Sequence, residues 1–442
     1  MLPAYISQTK PNPVSNRAPW YTNTAPTYAG VFLWIVFYQT MAQGTIDRAS
    51  LGACIAALAA AGLICYALFY YVPGMLGMKT GYPLYVIGSS TFGTLGGYPL
   101  PGLFMGILQV GWFAVGTFTS TRFILMGLGM DATAGTPTFW IVAAIWTYLM
   151  GSIGILGIQY VARASLFLNA IPLLMILVVF FRVQGGISQH QVVTQTDTWG
   201  AVATILQTVI GFFATAGAAG VDFGMNSRSG KDVRMGGLVG IAGAILIAGG
   251  LPLLSVAGAR ALNPNITSYS YDAVIGSMGG AMASSMFLLF ALASIVPACF
   301  CAFIAGNSFA TMLPGVSRSL STLVGVTIAL VLAGTGVAAD LPGVFGLVGA
   351  SFGPICGAMV ADYLLSGGKW AGPREGINWA GYGAWAIGFV VGISPALGLK
   401  LGVEPLALAS FVVGFVVYAA LAKAGLEPKV VTEKLALAAG QS

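Results

Sequence analysis

The sequence predicts an all-α polytopic membrane protein with about twelve transmembrane helices. Three observations lead there. Of 442 residues, 57% are hydrophobic and 7% charged, with a mean hydropathy of +0.88, whereas a soluble domain carries roughly 25% charge. Apolar stretches of spanning length recur near 27–46, 50–72, 99–127, 138–158, 165–182, 200–220, 236–258, 281–305, 320–338, 342–365, 378–398 and 404–423. Alternation through these spans from a cytoplasmic N-terminus leaves Arg48, Arg122, Arg182, Arg260 and Lys400 outside. It gathers the other thirteen of the 18 basic residues inside, Arg163 and Lys434 among them. That is the bias the positive-inside rule expects. The net charge of +6 is therefore topology, not the footprint of a nucleic-acid binder.

The elements follow in order. Residues 1–25 are polar and proline-bearing, with no continuous apolar core, so they read as a cytoplasmic segment and not as a cleavable signal. The first span, Pro26 to Ile46, carries Gln39, Thr40 and Gln43 in its outer half, and polar residues in a span face the bundle interior. Gly77 to Gly97 is too polar and glycine-rich to span. It is expected to cross the cytoplasmic face with a short surface helix. Gly151, Gly154 and Gly157 in span four, and Gly236, Gly240 and Gly243 in span seven, form small-residue stripes for close helix approach. His190 falls in an external loop, where a solvated side chain is expected. Cys54, Cys65, Cys299, Cys301 and Cys356 lie inside apolar spans and read as small buried hydrophobes.

Loops are short, so one transporter-sized domain is expected over 26–424, followed by a cytoplasmic tail, 425–442. Span six contains GFFATAGAAGVDF, Gly211 to Phe223. Glycine costs a helix about 1 kcal/mol relative to alanine. A helix break at membrane depth survives only where it is buried in protein or lines a cavity. Spans one and six, five apart, are thus both candidates for interruption, as an inverted repeat over about 26–183 and 199–365 requires, with extra helices at about 378–424.

Span three holds Gln109 and Trp112, three residues apart and so on one helix face. An amide beside a large aromatic suits a flat heteroaromatic or cyclic-amide ligand. Span six offers Phe213 and Thr215 as a second wall, with backbone groups freed by the break. Paired acids, a histidine cluster or a metal motif within the bilayer are not found in the sequence, so an enzyme is not expected. A transporter of the same architecture for an amino acid or a quaternary amine is the alternative reading. It would hold a carboxylate on freed backbone amides at half-helix N-termini.

In order along the chain stand KTG (Lys79 to Gly81), QVGWF (Gln109 to Phe113), Phe213 and Thr215 followed by Asp222-Phe223, ADYLL (Ala361 to Leu365) and INW (Ile377 to Trp379). With these strings the chain resembles the nucleobase:cation symporter-1 family, and within it the cytosine permease branch. The resemblance implies a LeuT-like fold of two inverted five-helix repeats plus two helices, and gradient-driven import of a nucleobase, hydantoin or allantoin-like compound. It implies that Gln109 hydrogen-bonds the ring edge, that Trp112 and Phe213 stack on the ring, and that Thr215 stands where cytosine permeases have serine. It also implies sodium as coupling ion, with backbone carbonyls of Phe32 and Ile35 as ligands.

Span eight departs from that pattern. Cytosine permeases carry two asparagines and a threonine pair there, whereas this chain reads ALASIVPACFCAFIAGNSF, Ala291 to Phe309. Pro297 with Ala298, or Cys301 with Ala302, fall where the hydroxyl and second asparagine belong, and Ser294 is the nearest hydroxyl. Sodium or a proton therefore both stand as coupling ions. Asp222 and Asp362, each closing a span, are expected to form surface pairs with loop cations, Asp222 with Arg228 or Lys231. The expected setting is a bacterial inner membrane with both termini cytoplasmic and the protein working as a monomer among lipids.

Overall fold

Backbone polar groups in hydrocarbon have to be paired within the segment that carries them, and this chain does so with helices. The computed structural model describes residues 2–156, 168–192, 196–313 and 315–431, and among them regular structure is helical apart from two isolated β-bridges. Gly157, Arg163 and Lys434 lie outside the described residues.

Nine helices among the described residues are long and apolar enough to cross a membrane. They are Leu51–Thr80, Tyr98–Gly127, Pro137–Leu156, Ala170–Gln189, Thr198–Ala218, Gly230–Leu262, Gly280–Met312, Leu341–Leu365 and Leu406–Lys423, which are spans two to eight, ten and twelve. Span nine is the shorter helix Arg318–Gly334 and span eleven is Trp379–Gly392. Span one is in two pieces, Thr24–Phe32 and Ile35–Tyr38.

The interruption of span one falls at Leu33 and Trp34. The Leu33 N–H closes the first piece on Ala29 O at 2.8 Å, and Trp34 is extended, with ψ 125°. Neither residue is glycine or proline, so the break is imposed by packing. Phe32 stacks on Phe213 (5.7 Å, 21°). Span three offers the bare backbone of Gly116, where a Cβ would come within 2.9 Å of the Trp34 indole.

Span six is less disrupted than its glycines suggest. Helix Thr198–Ala218 resumes at Gly220 after the single residue Ala219 (ψ −7°). Its backbone groups are not left free there: Ala219 N–H bonds Thr215 O (2.9 Å) and the Tyr28 hydroxyl donates to Ala216 O (2.8 Å). The glycines serve close approach instead. A Cβ at Gly211 would lie 2.4 Å from Phe345 O in span ten, and one at Gly224 would lie 2.0 Å from Gly74 O in span two.

Spans one, two, six and seven pack as one bundle, and spans three, four, eight and nine as a second. Spans ten to twelve pack on one another, and ten also lies along six. Each ion pair among the described residues joins two residues that the alternation places on the same side: Arg48–Asp197 and Arg122–Asp272 outside, Arg228–Asp232, Arg374–Asp362 and Arg374–Glu427 inside. Outside the membrane, Asp197 caps span six by accepting the Gly200 N–H. That bond, with Arg48, holds its carboxyl below the usual carboxylate range.

Four sequence expectations are corrected here. The 77–97 segment does contain a short helix, Leu84–Phe92, but it is buried along all its length except Tyr85. Its serines and threonines are not solvated: they are hydrogen-bonded inside the protein. Asp362 is not a surface group. It is 4% exposed and accepts from Ser90 Oγ (2.5 Å), Thr91 Oγ1 (3.0 Å) and the Arg374 guanidinium (2.9 Å), which also reaches Glu427 (3.0 Å). Asp222 pairs with neither Arg228 nor Lys231. Its Oδ1 accepts the Leu84 N–H at 3.0 Å and so anchors the start of the buried helix Leu84–Phe92. His190 is likewise engaged, its Nε2 lying 2.7 Å from Ile46 O. The five cysteines are free and buried.

Candidate functional site

Where the two bundles meet, helices with different apolar faces leave a cavity of about 400 Å³. Span three contributes Gln109 and Trp112, one helical turn apart on a shared face. Span six contributes Phe212, Thr215, Ala216, Ala219 and Phe223, and span eight Val296, Pro297, Phe300 and Cys301. Span one supplies Thr27, Gly30, Val31 and, at its break, Trp34. Asn23, Asn169 and Asn226, all half-buried, ring the end on the side assigned to the cytoplasm. Gln109, Trp112 and Trp34, at the other end, are buried at 5–6% exposure. The cavity therefore runs from the middle of the bundles toward the side that the positive-inside rule assigns to the cytoplasm.

The opposite side is closed by packing. Tyr271, at the start of an outer loop helix, meets Tyr38 edge-on (5.2 Å) and Phe290 (6.2 Å), and its N–H donates to Gln39 O (2.9 Å). The adjacent Asp272 pairs with Arg122 at 3.2 Å.

The walls are aromatic with a few polar groups. Trp112 meets Phe212 edge-on at 5.0 Å and Phe345 at 5.6 Å, and its Nε1 donates to Thr215 Oγ1 at 3.2 Å. Phe223 and Phe300 stack nearly parallel, 6.2 Å apart at 14°. Gln109 Nε2 has only the weakly accepting Met105 Sδ at 3.7 Å, and Gln109 Oε1 is buried with no hydrogen-bond partner among the described residues. Trp34 Nε1 is buried and unpartnered in the same sense. Among the described residues no charged side chain lines this cavity. Among the described residues no cluster of histidine, cysteine or carboxylate groups is arranged to hold a metal.

Three of the four substrate positions expected from sequence, Gln109, Trp112 and Thr215, are thus brought together in one wall. Phe213 is not among them. It is fully buried against Phe32 and Tyr28 (5.7 Å each) and away from the cavity, which its neighbour Phe212 lines instead. Successive helical residues point about 100° apart, so one faces the cavity and the other the core. Phe32 and Ile35 flank the break in span one, both buried and outside the cavity lining. Ser294 sits at the interruption of span eight, 1% exposed, with its Oγ donating to Phe290 O at 2.9 Å, and it too is outside the cavity lining.

Sequence reasoning missed Trp34, Phe212 and the three asparagines of the mouth. Asn23 was legible as a polar residue just ahead of the first span. Phe212 was legible as the neighbour of the polar face that Thr204, Thr208 and Thr215 form on span six, whereas Trp34, Asn169 and Asn226 carry no local signal. A wider groove where spans eleven and twelve connect, beside Trp199 and Pro395, is open to the surface and is lined by Ser394, Lys400 and Glu404 among apolar residues.

No protein-family model matches the chain, and no curated protein sequence does. Solved structures do match over nearly its whole length. The chain is similar to Mhp1, a nucleobase-cation-symport-1 family transporter. For the inward-facing conformation the TM-score is 0.73 at 14% identity, covering 96% of this chain and 95% of that one. For the closed conformation with bromovinylhydantoin bound it is 0.70 at 15%, covering 94% of each. MhsT in complex with L-phenylalanine is similar at a TM-score of 0.57 and 14% identity, covering 92% of this chain and 99% of that one. These likenesses establish the LeuT-like fold, one that membrane symporters share.

Proposed function

We propose that this chain is a secondary active transporter that imports a neutral nucleobase-like or cyclic-amide ring, in the manner of the nucleobase:cation symporter-1 family. The observation that carries this reading is the cavity itself. Among the described residues its walls are uncharged, and they combine aromatic faces with a buried amide, Gln109, whose oxygen has no partner there. A buried acceptor left unpaired costs about 1–3 kcal/mol. A ring N–H docking there would remove that cost, with Trp112 and Phe212 contacting its faces. The ordered sequence strings and the likeness to Mhp1 support the same class of solute.

An amino acid fits less well. The helical pieces beside the cavity, Ile35–Tyr38 and Gly220–Gly224, have four and five residues. Such short pieces align few peptide dipoles to hold a carboxylate, and among the described residues no side-chain cation lines the cavity to replace them.

Transport would proceed by alternating access. With the outer side sealed by Tyr38, Tyr271 and the Arg122–Asp272 pair, the route past Asn23, Asn169 and Asn226 is the release path. Sodium is the favoured driving ion, bound by the carbonyls of Phe32 and Ile35 with the lone pairs of Ser294. Of the two carboxylates that proton coupling would call on, Asp362 is paired with Arg374, whereas Asp222 accepts the Leu84 N–H.

Thermal-shift titration of the purified protein with hydantoin, uracil, cytosine, hypoxanthine and allantoin tests the substrate class, since a ligand stabilises by RT ln(1 + [L]/Kd). Stabilisation by one or more of these rings is expected. Stabilisation by L-phenylalanine and by none of the rings would favour the amino-acid reading.

A further inference from the structure

Two tryptophans stand in the cavity wall, and their N–H groups are in opposite situations. The Trp112 N–H is already used, on Thr215 Oγ1. The Trp34 N–H is buried with no partner among the described residues, in a residue that is itself 6% exposed. Buried indole N–H groups ordinarily find an acceptor, so a ligand is the natural source of one here. Trp34 is also held in place. The edge of its six-membered ring lies over the bare backbone of Gly116, and the indole centroid is 6.1 Å from that of Trp112, inclined at 55°. Gly116 lies one turn beyond Trp112 on span three, and Gln109 one turn before it. The unpaired donor of Trp34 and the unpaired acceptor of Gln109 therefore flank Trp112 in one wall.

We infer that Trp34 is a specificity-determining residue, donating its indole N–H to an acceptor on the ring edge while Gln109 pairs with a ring N–H. The inference rests on the ring-transport reading above. Its added content is a hydrogen-bond pattern: the preferred ring carries an N–H and a C=O together, and a ring with the N–H alone is rejected. Trp34 also lies in the interruption of span one, as the cap of its second piece, so a bound ring would contact the break directly. Trp112 supplies a face and Trp34 a donor, although both are tryptophans of the same wall.

The test is equilibrium binding to the purified full-length protein of uracil, hydantoin, oxindole and indole, with wild type and Trp34→Phe compared. Oxindole and indole share a skeleton and differ in the carbonyl. Wild type is expected to bind the carbonyl-bearing rings and to prefer oxindole over indole by about tenfold or more. Trp34→Phe is expected to lose about ten- to a hundredfold in affinity for the carbonyl-bearing rings and to leave indole unchanged. Carbonyl-ring binding at wild-type affinity in Trp34→Phe, or an equal loss for indole and oxindole, would overturn the inference and leave ring transport standing. If the variant does not fold, equal affinity of the wild type for indole and oxindole overturns it, and a clear preference for oxindole upholds it. Failure of the wild type to bind any of the rings would overturn the ring-transport reading, and this inference with it.

Discussion

Trp112 Nε1 donates to Thr215 Oγ1 at 3.2 Å, a hydrogen bond that joins span three of one bundle to span six of the other within the cavity wall. Both residues are buried, at 5% and 2% exposure, so the bond is shielded from water and either group alone would be unsatisfied. Thr215→Val keeps the shape and removes the acceptor. It should cost about 1–3 kcal/mol, seen as a lower melting temperature and weaker hydantoin binding, while Thr215→Ser stays near wild type. Indistinguishable melting of Val and wild type would show that the bond contributes nothing.

Phe212 and Phe213 are adjacent and have separate duties. Phe212→Ala opens the cavity wall beside Trp112 and should weaken ring binding more than it weakens the fold. Phe213→Ala removes a fully buried ring stacked on Phe32 and should cost about 3–5 kcal/mol of stability. Paired thermal melts and binding isotherms separate the two. Equal effects of both variants on both readouts would deny the division.

Gln109→Ala should weaken binding of the preferred ring by about 1–3 kcal/mol, the cost of leaving a buried partner unpaired, with expression and melting unchanged in the absence of ligand. Because the amide oxygen has no partner among the described residues, the substitution loses only the weak Nε2 contact with Met105 Sδ. A Gln109→Ala protein that binds the ring as tightly as wild type would remove this residue from the site.

Arg374 neutralises Asp362 in a pocket where both side chains are 6% exposed. Breaking such a pair by removing one partner costs about 3–5 kcal/mol, because a charge is left buried alone. Arg374→Ala should therefore melt well below wild type, and Asp362→Asn combined with Arg374→Gln should recover part of the loss. A double variant no more stable than Arg374→Ala would show that charge isolation is not the cause.

Much of this was legible before any coordinates. Charge scarcity and apolar length fixed the fold class, and the Gln109–Trp112 spacing located one wall. Phe213 was misplaced although span six has a polar face: Thr204, Thr208 and Thr215 share one side of the helix, which Phe212 adjoins and Phe213 opposes. The packing of Phe32 and Tyr28 on Phe213 fits that rotation. The break at Trp34 has no glycine or proline to announce it, since it is imposed by side chains of spans three and six. The burial of helix Leu84–Phe92 was hidden for a similar reason. Its hydroxyls resemble a solvated surface until Asp362, more than two hundred residues away in sequence, accepts from Ser90 and Thr91.

Uptake into proteoliposomes is the most direct test of the central claim, that a neutral ring is carried through the Gln109 cavity. Labelled cytosine, uracil, hypoxanthine, allantoin and hydantoin would each be offered under an inward sodium gradient and, separately, an inward proton gradient. Saturable, sodium-driven uptake of at least one ring, reduced in Gln109→Ala, is the expected result. Absence of saturable uptake of every ring under both gradients, or uptake that Gln109→Ala leaves untouched, would contradict it.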